Sequence, residues 1–178
     1  NLDNNGIIPI IAITGTNGKT TTTRLIHNTL MGLGYKSGAS TTGGIYIGKK
    51  AIKTGDTTGY YSALEVLKDD SIDVAVLETA RGGMIKKGLG FKNAKVCVIT
   101  SLSEDHMGME GINTIEELGK VKSLIKEGLD NDGVMVVRAT QDIVNLFNDK
   151  DKLILFDDNC NELIKRHVQS GGEAFYAE

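Results

Sequence analysis

Apolar runs and helix-spaced apolar positions alternate along the chain. Ile7 to Ile13 is a β-branched run with Pro9 near its start, where a strand tolerates proline. Thr20 to Leu33 carries Leu25, Ile26, Leu30 and Leu33 at helical spacing, and Gly34 follows as a stop. Ile45 to Ile52 predicts a hairpin turning at Gly48-Lys49. Ser62 to Leu67 predicts a short helix, and Asp73 to Leu77 and Val96 to Thr100 predict buried strands. Ile115 to Leu129 reads as one amphipathic helix on Ile115, Leu118, Val121, Leu124, Ile125 and Leu129. Val134 to Val137 and Leu153 to Phe156 are strands, separated by a short helix over Ile143 to Phe147. Leu163 to Val168 is helical, and Ala174 to Tyr176 is a last strand. Fully apolar strands alternating with helices predict an α/β fold: a mostly parallel sheet flanked by helices, with a small β-hairpin insertion.

Composition narrows the function. The 178 residues suit one domain, with 40% hydrophobic and 24% charged residues. A net charge of −3 argues against a nucleic-acid module. No apolar stretch approaches the ~18 residues of a membrane helix. Neither does Asn1 to Asn5 open a signal peptide. Cys97 lies in an apolar run and Cys160 in a polar one, so a disulfide is not expected and a cytoplasmic location is. There are 22 glycines against one proline, which points to backbone-lined loops.

The clearest chemistry is Thr14-Gly15-Thr16-Asn17-Gly18-Lys19-Thr20-Thr21, between a strand and a helix. Glycines there bring backbone N–H groups close to phosphate oxygens, and the helix start adds its positive dipole end. Lys19 reaches the outer phosphates and the Thr20 hydroxyl suits Mg²⁺. Ile13 stands where the general phosphate-loop pattern has its first glycine. Glu78 closes the run Val74 to Leu77, a strand end where a metal or water ligand is expected. Asp105-His106 follows another strand and suits a metal or a phosphate, or is simply solvated. Arg81-Gly82-Gly83 reads as a glycine turn with an arginine able to hold an anion. Lys120 and Lys122 sit on an amphipathic helix, where lysines are usually solvated. Thr41 to Gly44 and Gly55 to Gly59 are candidate substrate-side loops, with ordinary turns as the alternative.

In order and spacing, these elements resemble the central ATPase domain of the Mur ligase superfamily. Within it, Leu77-Glu78-Thr79-Ala80-Arg81-Gly82-Gly83, Thr42 to Gly48, Gly88 to Phe91 and the Asn161 to His167 tail with Gly171-Gly172 resemble the cyanophycin-synthetase branch. The resemblance implies a phosphate-loop Mur-ligase central domain over 1–178, part of a larger ligase with an ATP-grasp half and a carboxyl-terminal Mur domain. It implies ATP and Mg²⁺ as cofactors. Gly15, Thr16, Asn17, Gly18, Lys19, Thr20 and Thr21 would bind the nucleotide. Thr20, Glu78 and His106 would serve metal. Lys19, His106 and Lys122 would be catalytic, Lys122 matching a lysine that Mur ligases often carbamylate. The implied partners are arginine and an aspartyl polymer primer. The aspartate side-chain carboxylate would become an acyl phosphate and then be joined to arginine.

The chain departs from that pattern at Gly44 (Asp in the family), Tyr60 (Pro), Ser101 (Asn) and Val137 to Asp142. Without its closing domain the isolated domain is expected to be inactive or weak. Two alternatives stay open: a non-catalytic or divergent nucleotide-binding fragment, and another Mur or folylpolyglutamate-type ligase. Homo-oligomerisation is left open too.

Overall fold

Residues 8–104, 111–148 and 151–177 are described by a computed structural model. The apolar runs are continuous because alternate residues serve opposite faces of one sheet. In β1 (Ile10–Thr14), Ile10 and Ala12 enter the larger core while Ile11 and Ile13 face the smaller one. The same alternation holds in β5 (Val74–Glu78), β6 (Ala94–Ile99) and β7 (Leu129–Arg138). The other strands are β2 (Ser37–Thr41), β3 (Gly44–Ile47), β4 (Lys50–Thr54), β8 (Leu153–Asp157) and β9 (Glu173–Tyr176).

The order across the sheet is β4-β3-β2-β5-β1-β6-β7-β8-β9. Strands β2 and β5 to β9 run parallel with β1, and the β3–β4 hairpin adds two antiparallel strands at one edge. This is the expected α/β class, with the hairpin turning where the sequence placed it. Helix α1 (Lys19–Gly32) packs over β2, β5 and β1 on the smaller-core face. Helices α2 (Tyr60–Leu67), α3 (Arg81–Lys87), α4 (Ile115–Ser123), α5 (Gln141–Val144) and α6 (Glu162–Gln169) lie towards the larger core. The chain leaves β1 towards β2 through α1 and crosses from β5 to β6 through α3. The direction of winding therefore reverses at β1, and the carboxyl ends of β1, β5, β2 and β6 meet around one crevice.

Three elements differ from expectation. Ser37-Gly38-Ala39-Ser40-Thr41 is a strand buried throughout, although it has no large apolar residue. Small residues are needed there: a Cβ on Gly38 would stand 2.8 Å from Val66 Cγ1 and 2.9 Å from Ile72 Cδ1. Arg81-Gly82-Gly83 opens a helix, not a turn. A Cβ on Gly83 would come within 3.1 Å of Gly59 Cα, so the glycine serves close packing of α3 on the start of α2. The helix expected over Ile115 to Leu129 stops at Ser123, and Leu124–Gly128 is a 3-10 turn that hands the chain to β7 at Leu129. Gly128 lies so near Phe91 that a Cβ would sit 2.6 Å from Cε2.

Candidate functional site

At the end of β1 the backbone enters the phosphate loop through Gly15 at φ +149° and reaches α1 through Gly18 at φ +84°. Both conformations favour glycine. A Cβ on Gly15 would collide with Thr100 Oγ1, so the loop lies directly against the strand end beside it. Hydrogen bonds strap the two together. Thr16 N donates to Ser101 O at 2.9 Å, and Asn17 N donates to Ser101 Oγ at 2.9 Å. Thr100 Oγ1 and Ser101 Oγ donate to Asn17 O at 2.6 and 3.1 Å. Ser101, which departs from the family's asparagine, thus closes the loop's back. Lys19 Nζ folds over the loop, donating to Gly15 O at 2.9 Å and Thr16 O at 2.7 Å. Thr14 Oγ1, at the loop's foot, is buried without a hydrogen-bond partner.

On the α1 side the loop meets an oxygen-rich corner. Glu78 follows Leu77 of the larger core, so its side chain falls on the face that α1 covers. It is 2% exposed. Thr20, in the first turn of α1, donates from Oγ1 to Glu78 Oε1 and Oε2 at 3.0 and 2.9 Å. Thr42 N donates to Oε2 at 3.1 Å, and Thr42 Oγ1 lies 2.9 Å from Thr20 Oγ1. Two hydroxyls and a carboxylate, all hard oxygens, suit Mg²⁺. Thr42 stood in the sequence as part of a candidate substrate-side loop and of the Thr42 to Gly48 segment that carries the resemblance; its signal is the Thr-Gly-Gly that follows β2.

On the larger-core side a cleft of about 680 Å³ opens. Gly15, Thr16 and Lys19 line one end of it. The start of α2, Gly59 to Ser62, and the α3 residues Arg81, Lys86 and Lys87 line it as well. From α4 come Leu118 and Lys122. Lys122 is 4% exposed, whereas the Lys120 side chain is 68% exposed and pairs with Glu116 at 2.7 Å. The two lysines are thereby separated, and Lys122 belongs to the cleft. Helix α4 is fixed by a capping box in which Glu117 N donates to Thr114 Oγ1 at 3.1 Å and Thr114 N to Glu117 Oε2 at 3.2 Å.

The structure therefore brings together Gly15 to Lys19, Thr20, Glu78 and Lys122. Thr21 is exposed on α1, and His106 with Asp105 lies outside the described residues. Tyr60 entered from the sequence only as a departure from the family's proline, and Tyr61, Lys86 and Lys87 were not singled out; they gather because α3 packs against the start of α2. Cys97 is a buried hydrophobe as expected, its thiol pushed up to about 12 by burial. No helix among the described residues is long and apolar enough to cross a membrane.

A glycine-rich loop between strand and helix, ending in Gly18-Lys19-Thr20 at the switch point of a parallel sheet, points to a class of domain, and comparison makes the class specific. Residues 13–171 match the family described as the Mur ligase middle domain, and the chain belongs to that family. It is similar to the cyanophycin synthetases of Nostoc, at 43% identity over 97% of this chain, and Synechocystis, at 43% over 94%. The chain spans about a fifth of the length of these relatives (19% and 20%). It is also 28% identical to a UDP-N-acetylmuramoyl-L-alanyl-D-glutamate–2,6-diaminopimelate ligase of Phocaeicola vulgatus, over 79% of this chain and 32% of that one. The fold is shared with a solved ligase of that same name, at TM-score 0.70 and 22% identity, over 87% of this chain and 33% of the other. A bifunctional folylpolyglutamate synthase/dihydrofolate synthase, solved with Mn, AMPPNP and L-glutamate bound, aligns at TM-score 0.64 and 22% identity, over 85% and 44%.

Proposed function

We propose that this chain is the ATP-binding core of an ATP-dependent acid–amino-acid ligase, of the kind that joins arginine to an aspartyl side chain. The observation that carries the reading is the phosphate loop, with Lys19 at the mouth of a cationic cleft and the Thr20–Glu78 pair on its other side. ATP supplies the phosphoryl group that turns a carboxylate into an acylating agent. Loop N–H groups and Lys19 hold the β,γ-phosphates, exchanging the lysine's carbonyl partners for phosphate oxygens. Thr20 and Glu78 would hold Mg²⁺, which would supply positive charge to offset that on those oxygens. The substrate carboxylate takes the phosphoryl group and ADP leaves; the arginine amine then attacks the acyl carbon, releasing phosphate and a proton. Lys122, buried in the cleft, faces this chemistry either as a cation or as the carbamylated ligand that the family resemblance implies. The similarity to cyanophycin synthetases across 97% of the chain supports arginine and an aspartyl polymer as the substrates.

Calorimetric titration tests the reading. Wild type is expected to bind Mg·ATP, and Lys19→Ala to bind at least tenfold more weakly. Equal affinities would overturn the assignment of the loop.

A further inference from the structure

Between Gly15 and Gly18 hangs a short segment, Thr16-Asn17, with a glycine at positive φ on either side. Such flanks give it a freedom that the fold must take back. All four of its backbone polar groups are held. Thr16 N donates to Ser101 O at 2.9 Å, and Asn17 N donates to Ser101 Oγ at 2.9 Å. Asn17 O accepts from Thr100 Oγ1 at 2.6 Å and from Ser101 Oγ at 3.1 Å. Thr16 O faces the other way and accepts from Lys19 Nζ at 2.7 Å. The Ser101 hydroxyl thus serves one residue twice, as acceptor for its amide and as donor to its carbonyl. The Thr16 side chain is tied towards the same strand end, its Oγ1 accepting from Ser103 N at 3.2 Å.

When Lys19 exchanges its carbonyl partners for phosphate oxygens, Thr16 O loses that tie, and the ties to Thr100, Ser101 and Ser103 keep the segment in place. Among the described residues, Ser101 Oγ is the sole partner of Asn17 N. Asn17 O would keep Thr100 Oγ1 if the serine hydroxyl were removed, but the amide would keep nothing. We propose that Ser101 is a positioning residue: its hydroxyl, without touching ligand, holds Thr16-Asn17 in the phosphate-binding shape while Lys19 turns to phosphate. A loop held in shape before the ligand arrives spares binding the cost of ordering it. The proposal rests on the nucleotide reading of the loop and names the group that maintains its shape.

The test separates hydroxyl from volume, and shape from direct contact. Calorimetry follows binding of a non-hydrolysable ATP analogue and of inorganic tripolyphosphate, each with Mg²⁺. Ser101→Val should bind both about tenfold more weakly than wild type, the worth of two ordinary hydrogen bonds. Ser101→Thr, of similar volume but with the hydroxyl, should stay within about twofold. Ser101 also lines a cavity of about 670 Å³ beside the loop, with Asn17, Gly18 and Thr22. A direct contact with a nucleoside there has its own signature, a loss for the analogue and none for tripolyphosphate. That result overturns the proposal, as does wild-type affinity in Ser101→Val or an equal loss in Ser101→Thr. Amide hydrogen exchange of ligand-free wild type needs no variant: Asn17 N–H should be protected, and exchange at the rate of an open chain overturns the proposal. Wild type that binds the analogue but not tripolyphosphate overturns it too, because the loop then does not hold phosphates by its own shape. Failure of wild type to bind either ligand overturns the ligase reading itself.

Discussion

The phosphate loop divides two unlike environments. Towards α1 it meets Thr20, Thr42 and Glu78, an oxygen corner in which a buried carboxylate accepts from a hydroxyl and a backbone amide. Towards α3 and α4 it meets Lys19, Arg81, Lys86, Lys87 and Lys122. The loop thus has oxygen-bearing side chains on one face of the sheet and cationic side chains on the other. The difference follows from β-strand alternation: Leu77 fills the larger core, and its neighbour Glu78 must therefore point to the opposite face.

Four changes probe that division. The largest effect is expected from Gly15→Ala, which strikes the loop between both environments. The positive φ and the collision with Thr100 Oγ1 should cost roughly 1–3 kcal/mol of stability and remove nucleotide binding, seen in chemical denaturation and calorimetry. Retained wild-type affinity would show that the loop's backbone is not what holds phosphate. Glu78→Gln acts on the oxygen corner alone. The gain in nucleotide affinity on adding Mg²⁺ should fall about tenfold, roughly 1.4 kcal/mol, while affinity without metal stays near wild type. An unchanged metal effect would move the metal away from this corner.

The third change is pH. His27 on α1 is buried, with Nδ1 2.8 Å from Ser37 Oγ and Nε2 3.0 Å from Gly48 O. Burial lowers its pKa from 6.5, outweighing the bond to Gly48. The folded chain then binds fewer protons than the unfolded chain just below pH 6.5, so stability is full above that value and falls as pH drops towards the folded pKa. Denaturation midpoints from pH 7.5 to 5 should decline more for wild type than for His27→Gln; parallel declines would remove His27 as the cause. The smallest effect is expected on the cleft side, where Thr114→Ala deletes the cap of the helix bearing Lys122. It should cost about 1 kcal/mol in denaturant melts and leave metal-dependent nucleotide binding unaltered.

The loop, Glu78 and the parallel strands are legible in the sequence because each is written locally: glycines before a lysine, a carboxylate closing an apolar run. Strand β2 is not, because its identity rests on how closely α2 approaches Gly38, a contact between distant segments. Helix α3 hides for the same reason. Arg81-Gly82-Gly83 has poor helix propensity, and only the packing of Gly83 on Gly59 explains the glycine. Sequence pattern likewise leaves Lys120 and Lys122 equivalent. Burial of one and an exposed ion pair on the other separate them.

One consequence concerns which amides do the work. Thr16 N and Asn17 N are already committed to Ser101, through its carbonyl and its hydroxyl. Those two protons are ballast: they moor the loop to the neighbouring strand. The serine at position 101 is therefore a mooring post, keeping the loop's shape in store before any ligand arrives.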